Sequence, residues 1–285
     1  MRLLESNAMP DVDLDMDRDL DVETIDLPDG RTLAYATHGR EDGAPLVFHH
    51  GVPGSCALGA VLSYAARQRG VRVIAPSRPG YGRSDPRPDG TLETWADDCR
   101  HLADELGLES FAVAGFSGGG PPALAVADRF PDRVTAAGAV SAPVPETEGP
   151  LASLARFPRV LGIALRCTRL LARRRGDAFV VDQLTERNID DVTAQIVGHD
   201  FRTGLADRPS GAVRESQFLA GDWSLPEPEP DVPTTVWHGT EDENVPLEPV
   251  ERVYADRSTV TFRTVENDHL GTLLAVRSPV VELTR

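Results

Sequence analysis

A chain of 285 residues, 40% hydrophobic and 26% charged, holds enough apolar side chain for one large core and too much for wholesale disorder. Its net charge of −16 sets 45 acidic residues against 29 basic ones, every one of them arginine; so acidic a surface excludes nucleic acid as a partner, because phosphate binding needs a basic footprint. No run approaches the roughly 20 apolar residues that span a bilayer, and Cys56, Cys99 and Cys167, odd in number and widely spaced, argue against a disulfide framework and for a reducing, cytoplasmic setting.

Residues 1–20 read as an acidic disordered tail. DVETIDLPDGRTLAYATHG then predicts two strands around a turn at Pro28-Asp29-Gly30, the x-P-D-G signal. PLVFHHG (45–51) is a short strand, 55–70 an amphipathic helix stopped by Gly70, and VRVIAPS (71–77) a strand. Residues 91–106 place Leu92, Trp95, Cys99, Leu102 and Leu106 at helical spacing. FAVAG (111–115) is a strand, 119–130 a helix and VTAAGAV (134–140) a strand. From 146 to 225 the pattern is helical and polar, with no strand signal. After the stiff PEPEPDVP (226–233), alternation resumes with strand 234–239, helix 246–257, strand 260–266 and a helix from 270. Strands alternating with helices of 10–16 residues predict a mostly parallel eight-stranded α/β sheet covered on both faces. The core spans 21–145 and 226–285, with 146–225 as a helical insertion.

One stretch concentrates chemistry. In VAGFSGGG (113–120), Gly115, Ser117 and Gly119 fit G-x-S-x-G between a strand and a helix. That is the setting of a nucleophile elbow, where a tight turn pushes the serine out above the sheet. The N–H of Gly118 opens the following helix and is placed to hold an oxyanion. A phosphate-binding loop does not fit, since its lysine is missing, as is every lysine in the chain.

A serine hydroxyl needs a base, and the base an orienting acid. His38 reads as part of an early turn, His101 as mid-helix and His199 as part of the insertion; of these and His49, His50, His238 and His269, only His269 lies in a loop after the last strand, at the sheet edge where parallel sheets place their sites. Asp242, in WHGTEDENVP after strand 234–239, is the expected acid, with Glu146 or Glu148 as rivals. The order Ser117, Asp242, His269 is the nucleophile–acid–base order of one serine-hydrolase arrangement. FHHGVPGS (48–55) supplies the second oxyanion donor, the N–H of Val52, paired with Gly118. His50 and Gly51 support that loop, with His50 expected to brace it rather than titrate.

HHGVPG, SRPGYGRSDP (77–86), GFSGGG and HGTEDENVP with DHLG occur in that order. The set resembles the α/β-hydrolase fold superfamily, in the form with a helical cap, over about residues 22–285. The resemblance implies a serine hydrolase with 146–225 as the cap that shapes the substrate pocket, no metal and no cofactor. Serine at the elbow, rather than aspartate, departs from the epoxide hydrolase and haloalkane dehalogenase branches. The proline iminopeptidase motifs are not matched either. The expected reaction is hydrolysis of a small or medium carboxylic ester through an acyl-enzyme. The alternatives are a lactone, thioester or amide, C–C bond hydrolysis, perhydrolysis, or a ligand-binding member without turnover. The lysine-free acidic composition resembles cytoplasmic proteins of salt-accumulating halophilic archaea; Arg-rich codon usage is the plainer source of the missing lysine. Segment 151–175 is apolar with a terminal Arg cluster. Its expected role is a cap helix packing its apolar side on the sheet domain, with no membrane partner, since the net charge would repel anionic lipid. Oligomeric state is not legible.

Overall fold

Strands form where the apolar runs lie. The computed structural model describes residues 20–285 except 146, 148, 149, 206–208 and 230. The expected tail and the rival acids Glu146 and Glu148 thus fall outside the described residues, save Leu20. The strands are β1 (Val22–Asp26), β2 (Thr32–Gly39), β3 (Ala44–His49), β4 (Val71–Pro76), β5 (Phe111–Phe116), β6 (Val134–Val140), β7 (Thr234–Gly239) and β8 (Val260–Val265). They make one sheet in the order β1-β2-β4-β3-β5-β6-β7-β8. The pairs β1–β2 and β2–β4 are antiparallel and all others parallel, as the sequence predicts.

The central strands are apolar on both faces, as burial under two helix layers demands. Period-2 alternation splits them. Leu46, Phe48, Ala112, Ala114 and Phe116 enter one core. Val47, Val113 and Phe111 enter the other. Fully burying a side chain such as Phe48 contributes roughly 1.5–3 kcal/mol. The first core is covered by the 3-10 helix Cys56–Leu62 with α1 (Ser63–Arg69), and by the C-terminal helices. The second is covered by α2 (Leu92–Glu105) and α3 (Gly120–Arg129).

The chain leaves β3 toward β4 on one side and returns to β5 on the other. Their carboxyl ends therefore flank a crevice at the topological switch point, where open α/β sheets bind ligands. The loops after β3 and β5 both open into it.

Four expectations are corrected. Residues 55–70 are not one α-helix but a 3-10 segment followed by α1, which ends at Gly70 with φ +68. His38, expected in a turn, lies on β2. Segment 151–175 is two helices, α4 (Pro150–Ala155) and α5 (Pro158–Arg175), parted at Phe157. Proline cannot donate to the preceding turn, so it starts a helix here rather than continuing one. The insertion between β6 and β7 continues with α6 (Asp177–Val181), α7 (Asp191–Gly204) and α8 (Ser210–Leu219). No strand occurs in it among the described residues. After β7 come α9 (Leu247–Tyr254), then β8, α10 (His269–Ala275) and α11 (Arg277–Val281); the final helix is thus broken in two. No helix of the described residues is long and apolar enough to cross a membrane.

Candidate active site

The glycines around Ser117 answer to close approach. A Cβ at Gly115 would lie 2.0 Å from the Gly119 carbonyl oxygen, and one at Gly119 would lie 2.4 Å from the carbonyl oxygens of both His49 and His50. Neither position admits a side chain. The turn they permit leaves Ser117 at φ +52, a left-handed conformation costing a β-carbon residue ~1–3 kcal/mol. The surrounding strand and helix impose it, and it lifts the hydroxyl off the sheet. Ser117–Gly119 form a single 3-10 turn before α3, so the Gly118 N–H has no intrahelical acceptor.

His269 opens α10. Asp268 is its N-cap, accepting the Gly271 N–H at 2.9 Å. Asp242, in the loop after β7, is buried between exposed Glu241 and Glu243. Its Oδ2 accepts a hydrogen bond from His269 Nδ1 at 2.7 Å, and its Oδ1 accepts the N–H groups of Asn244 at 3.0 Å and Val245 at 2.9 Å. Burial alone would raise the Asp242 pKa. The His269 and backbone hydrogen bonds more than offset it and leave the pKa lowered. The carboxylate thus stays charged and fixes the imidazole tautomer, leaving His269 Nε2 as the free nitrogen. The Phe116 ring lies 4.8 Å from the imidazole and restrains its swing. Below the pair, buried His238 holds the Val245 carbonyl at 2.9 Å.

The loop after β3 is held by a buried network. Arg78 Nη1 donates to the His50 carbonyl at 2.5 Å and Nη2 to the Gly51 carbonyl at 3.0 Å. The guanidinium also pairs with both oxygens of Glu215 on α8, at 2.8 and 2.9 Å, and Tyr81 donates to the same carboxylate at 2.8 Å. Both carbonyls are thereby held by the Arg78 guanidinium. His50 Nε2 accepts the Arg78 N–H at 3.1 Å, so Nδ1 is the donor to the Gly51 carbonyl at 2.7 Å. Burial first, and then the Arg78 charge, push its pKa well below the ordinary histidine value. His50 is a neutral brace. Val52 meets the elbow directly: a Cβ on Gly118 would come within 2.5 Å of Val52 Cγ2.

Ser117, His269, Val52 and Gly118 line one cavity of about 410 Å³. The insertion supplies much of its wall, including Val180, Leu184, Val197, Phe201 and Leu219. The lining is mainly apolar, as in small-molecule sites. Asp200 on α7 is a buried carboxylate in that lining. Its Oδ1 accepts from Ser55 N–H at 2.6 Å, Ser55 Oγ at 3.0 Å and Leu58 N–H at 3.2 Å. Burial outweighs those bonds and pushes its pKa up to about 7.

Ser117, Asp242, His269, Val52, Gly118, His50, Gly51, Gly115 and Gly119, scattered over 220 positions of sequence, gather at the carboxyl ends of β3, β5, β7 and β8. Sequence reasoning missed Glu215, Asp200 and Asp268. Asp268 had a signal, an Asp directly before the last helix; the first two had none.

Comparison with known proteins agrees with this fold. A model of the α/β hydrolase fold family matches residues 44–267. A non-heme chloroperoxidase of Streptomyces lividans is 31% identical over 253 residues, 86% of this chain and 88% of its own. A bifunctional esterase/perhydrolase of Acinetobacter calcoaceticus is 30% identical over 118 residues, 41% of this chain and 43% of its own. The solved α/β hydrolase fold protein from Nakamurella multipartita superposes with a TM-score of 0.69 at 24% identity, over 93% of this chain and 99% of that one. With eight strands in this order, a serine-bearing turn after β5 and a family match across most of its length, the chain belongs to the α/β hydrolase fold family.

Proposed function

We propose that the protein is a serine hydrolase of small or medium carboxylic esters. The observation that carries this reading is that a strained Ser117 and an Asp242-anchored His269 line the same, mainly apolar cavity. His269 Nε2 takes the Ser117 proton as Oγ attacks the ester carbonyl. The Val52 and Gly118 N–H groups hold the tetrahedral oxyanion, each donor contributing about 3–4 kcal/mol to transition-state stabilisation. His269 then protonates the leaving alkoxide and the acyl-enzyme forms. Water, deprotonated by His269, attacks the acyl carbon and returns free Ser117 and a carboxylic acid. Asp242 stabilises the imidazolium in both halves. The helical insertion serves as a cap, and its apolar side chains select the acyl and alcohol groups.

A second reading has one support: both curated relatives named above carry peroxide-linked names. There hydrogen peroxide replaces water, attacks the acyl carbon and leaves as a peracid, with Ser117 reprotonated. The acidic, lysine-free composition further suggests a cytoplasmic protein that works in concentrated salt, where a short Debye length relieves self-repulsion.

The test is hydrolysis of p-nitrophenyl esters of increasing chain length in molar KCl, by wild type and Ser117→Ala. Turnover falling at least ~10³-fold in the variant is expected, with an optimum chain length set by the cavity. Undiminished turnover in the variant would end the serine mechanism. A folded wild type that binds esters without turnover would make it a ligand-binding member of the fold. Peracid formation from a short carboxylate and hydrogen peroxide, exceeding ester hydrolysis, would select the second reading.

A further inference from the structure

Helix α5 has apolar residues on two opposite sides. Leu161, Leu165 and Ala172 are buried, and the first two pack with Tyr81, Leu205 and Ala212. Val160, Ile163, Leu170 and Leu171 face out, with exposures of 53, 60, 50 and 39%, and Phe157 just before them is 62% exposed. At 100° per residue the four helical positions span an arc of about 100°, turned away from the buried side. Packing of the whole apolar side on the core, expected from sequence, therefore does not occur. These five are the exposed large hydrophobics of the described residues, and such grouping marks an interaction surface.

Charge is segregated onto the same helix. Between Glu148 and Asp177 lie seven arginines and no acid; the rest of the chain holds 22 arginines and all 45 acids. Arg159, Arg166 and Arg173 recur every seven residues, forming a stripe beside the exposed apolar arc. None of the three bonds to a described residue. Arg159 and Arg166 also border a surface groove of about 690 Å³, floored by Pro79, Gly211 and Val213, with no carboxylate among its described lining residues.

We propose that this face of α5 docks on an anionic lipid surface, its axis in the plane of the membrane, with Phe157, Val160, Ile163 and Leu170 in the acyl boundary and the arginine stripe on lipid phosphates. An arginine stripe beside an apolar arc is the pattern of an interfacial helix. The repulsion of the acidic remainder is screened beyond a Debye length of about 8 Å at 0.15 M ionic strength and about 3 Å at 1 M, so in concentrated salt the apolar arc carries the contact and the stripe adds only its direct pairs with phosphate. A symmetric second copy is the poorer occupant, because two-fold pairing would set one arginine stripe against another. Helix α8 lies between this face and the active-site cavity: Val213 and Gln217 border the groove, Ser216 and Leu219 the cavity.

The test is co-sedimentation of the full chain with phosphatidylcholine vesicles, with and without phosphatidylglycerol. It is run at the lowest KCl that keeps the native circular dichroism, alongside mass determination by light scattering. Sedimentation with phosphatidylglycerol only, weakening as KCl rises, is expected. Ile163→Glu/Leu170→Glu and Arg159→Glu/Arg166→Glu should each lower it at least ~10-fold, with circular dichroism and ester turnover in solution unchanged. Absence of sedimentation, equal sedimentation with phosphatidylcholine alone, or wild-type behaviour of both variants would overturn the proposal. So would a dimer that the first variant dissociates, which would assign the face to a second copy.

Discussion

The insertion grips the loops of the candidate site at two places, by different physics. On the side of the β3 loop the grip is buried and charged: Arg78 with Glu215, and Asp200 with the turn Ser55–Leu58. On the side of His269 it is peripheral and made mainly of partly exposed bonds. Leu270 N–H donates to the Leu184 carbonyl at 2.9 Å, Asp268 Oδ2 accepts from Thr185 Oγ1 at 2.8 Å and Glu186 N–H at 2.9 Å, and Asn244 Nδ2 donates to the Gln183 carbonyl at 3.2 Å. The first grip fixes the β3 loop and the second only tethers the His269 side. A buried ion pair is costly to break from one side, because the surviving charge has no water, whereas exposed hydrogen bonds are readily replaced by solvent. The two grips should therefore fail differently.

Glu215→Ala is expected to be the most damaging change. It strands Arg78 in the core and should cost roughly 3–5 kcal/mol, read as a fall in melting temperature, with kcat reduced through the loosened His50–Gly51 carbonyls. A variant that melts within a degree of wild type would show the buried grip to be no stronger than the peripheral one. Asp200 offers a pH handle on the same side. Its pKa is raised from 3.8 to about 7 on folding, so between those limits the folded chain binds more protons than the unfolded one. Stability from this group therefore falls as pH rises from about 4 to about 7, by at most about 4 kcal/mol. Asp200→Asn should flatten that dependence and raise the melting temperature at pH 8 relative to wild type; an unchanged pH profile would count against it.

On the peripheral side, Asp268→Ala removes a helix cap and the Thr185 contact, for about 1 kcal/mol. Amide exchange should speed up at residues 184–187 and 270–271 while the β3 loop stays protected. Arg187→Ala breaks an exposed pair with Glu241 at 2.5 Å and should change stability by less than about 0.5 kcal/mol. A larger loss at Arg187 than at Asp268 would invert the ranking of the tethers.

What the sequence made legible follows the same division. Ser117 could be found because its constraint is local: the two glycines that must lack a Cβ lie within two residues of it. Asp242 and His269 could be found because strand ends are readable and chain order limits the choice. The break at Phe157 was legible too, through Pro158, yet the apolar run on either side suggested one helix. Glu215 was not legible. It lies 137 positions from Arg78, inside a polar helical stretch where nothing separates it from the other acids. SRPGYGRSDP matched a family motif, but the partner that gives Arg78 its role comes from another region. His38 shows the reverse error: a polar residue next to glycine reads as a turn, although it sits on β2 with its ring against the Cys56 carbonyl at 3.4 Å.

The reach of the Arg78–Glu215 pair also bears on how activity is acquired. The elbow is assembled from neighbours in sequence and can form as soon as β5 and α3 pack. The loop after β3 takes its final set only when α8, synthesised or folded much later, closes a loop of 137 residues, and such long-range closures are the slow events of folding. In a refolding experiment, helical signal should therefore return before the proposed ester turnover, and the lag between them would time the arrival of a single carboxylate.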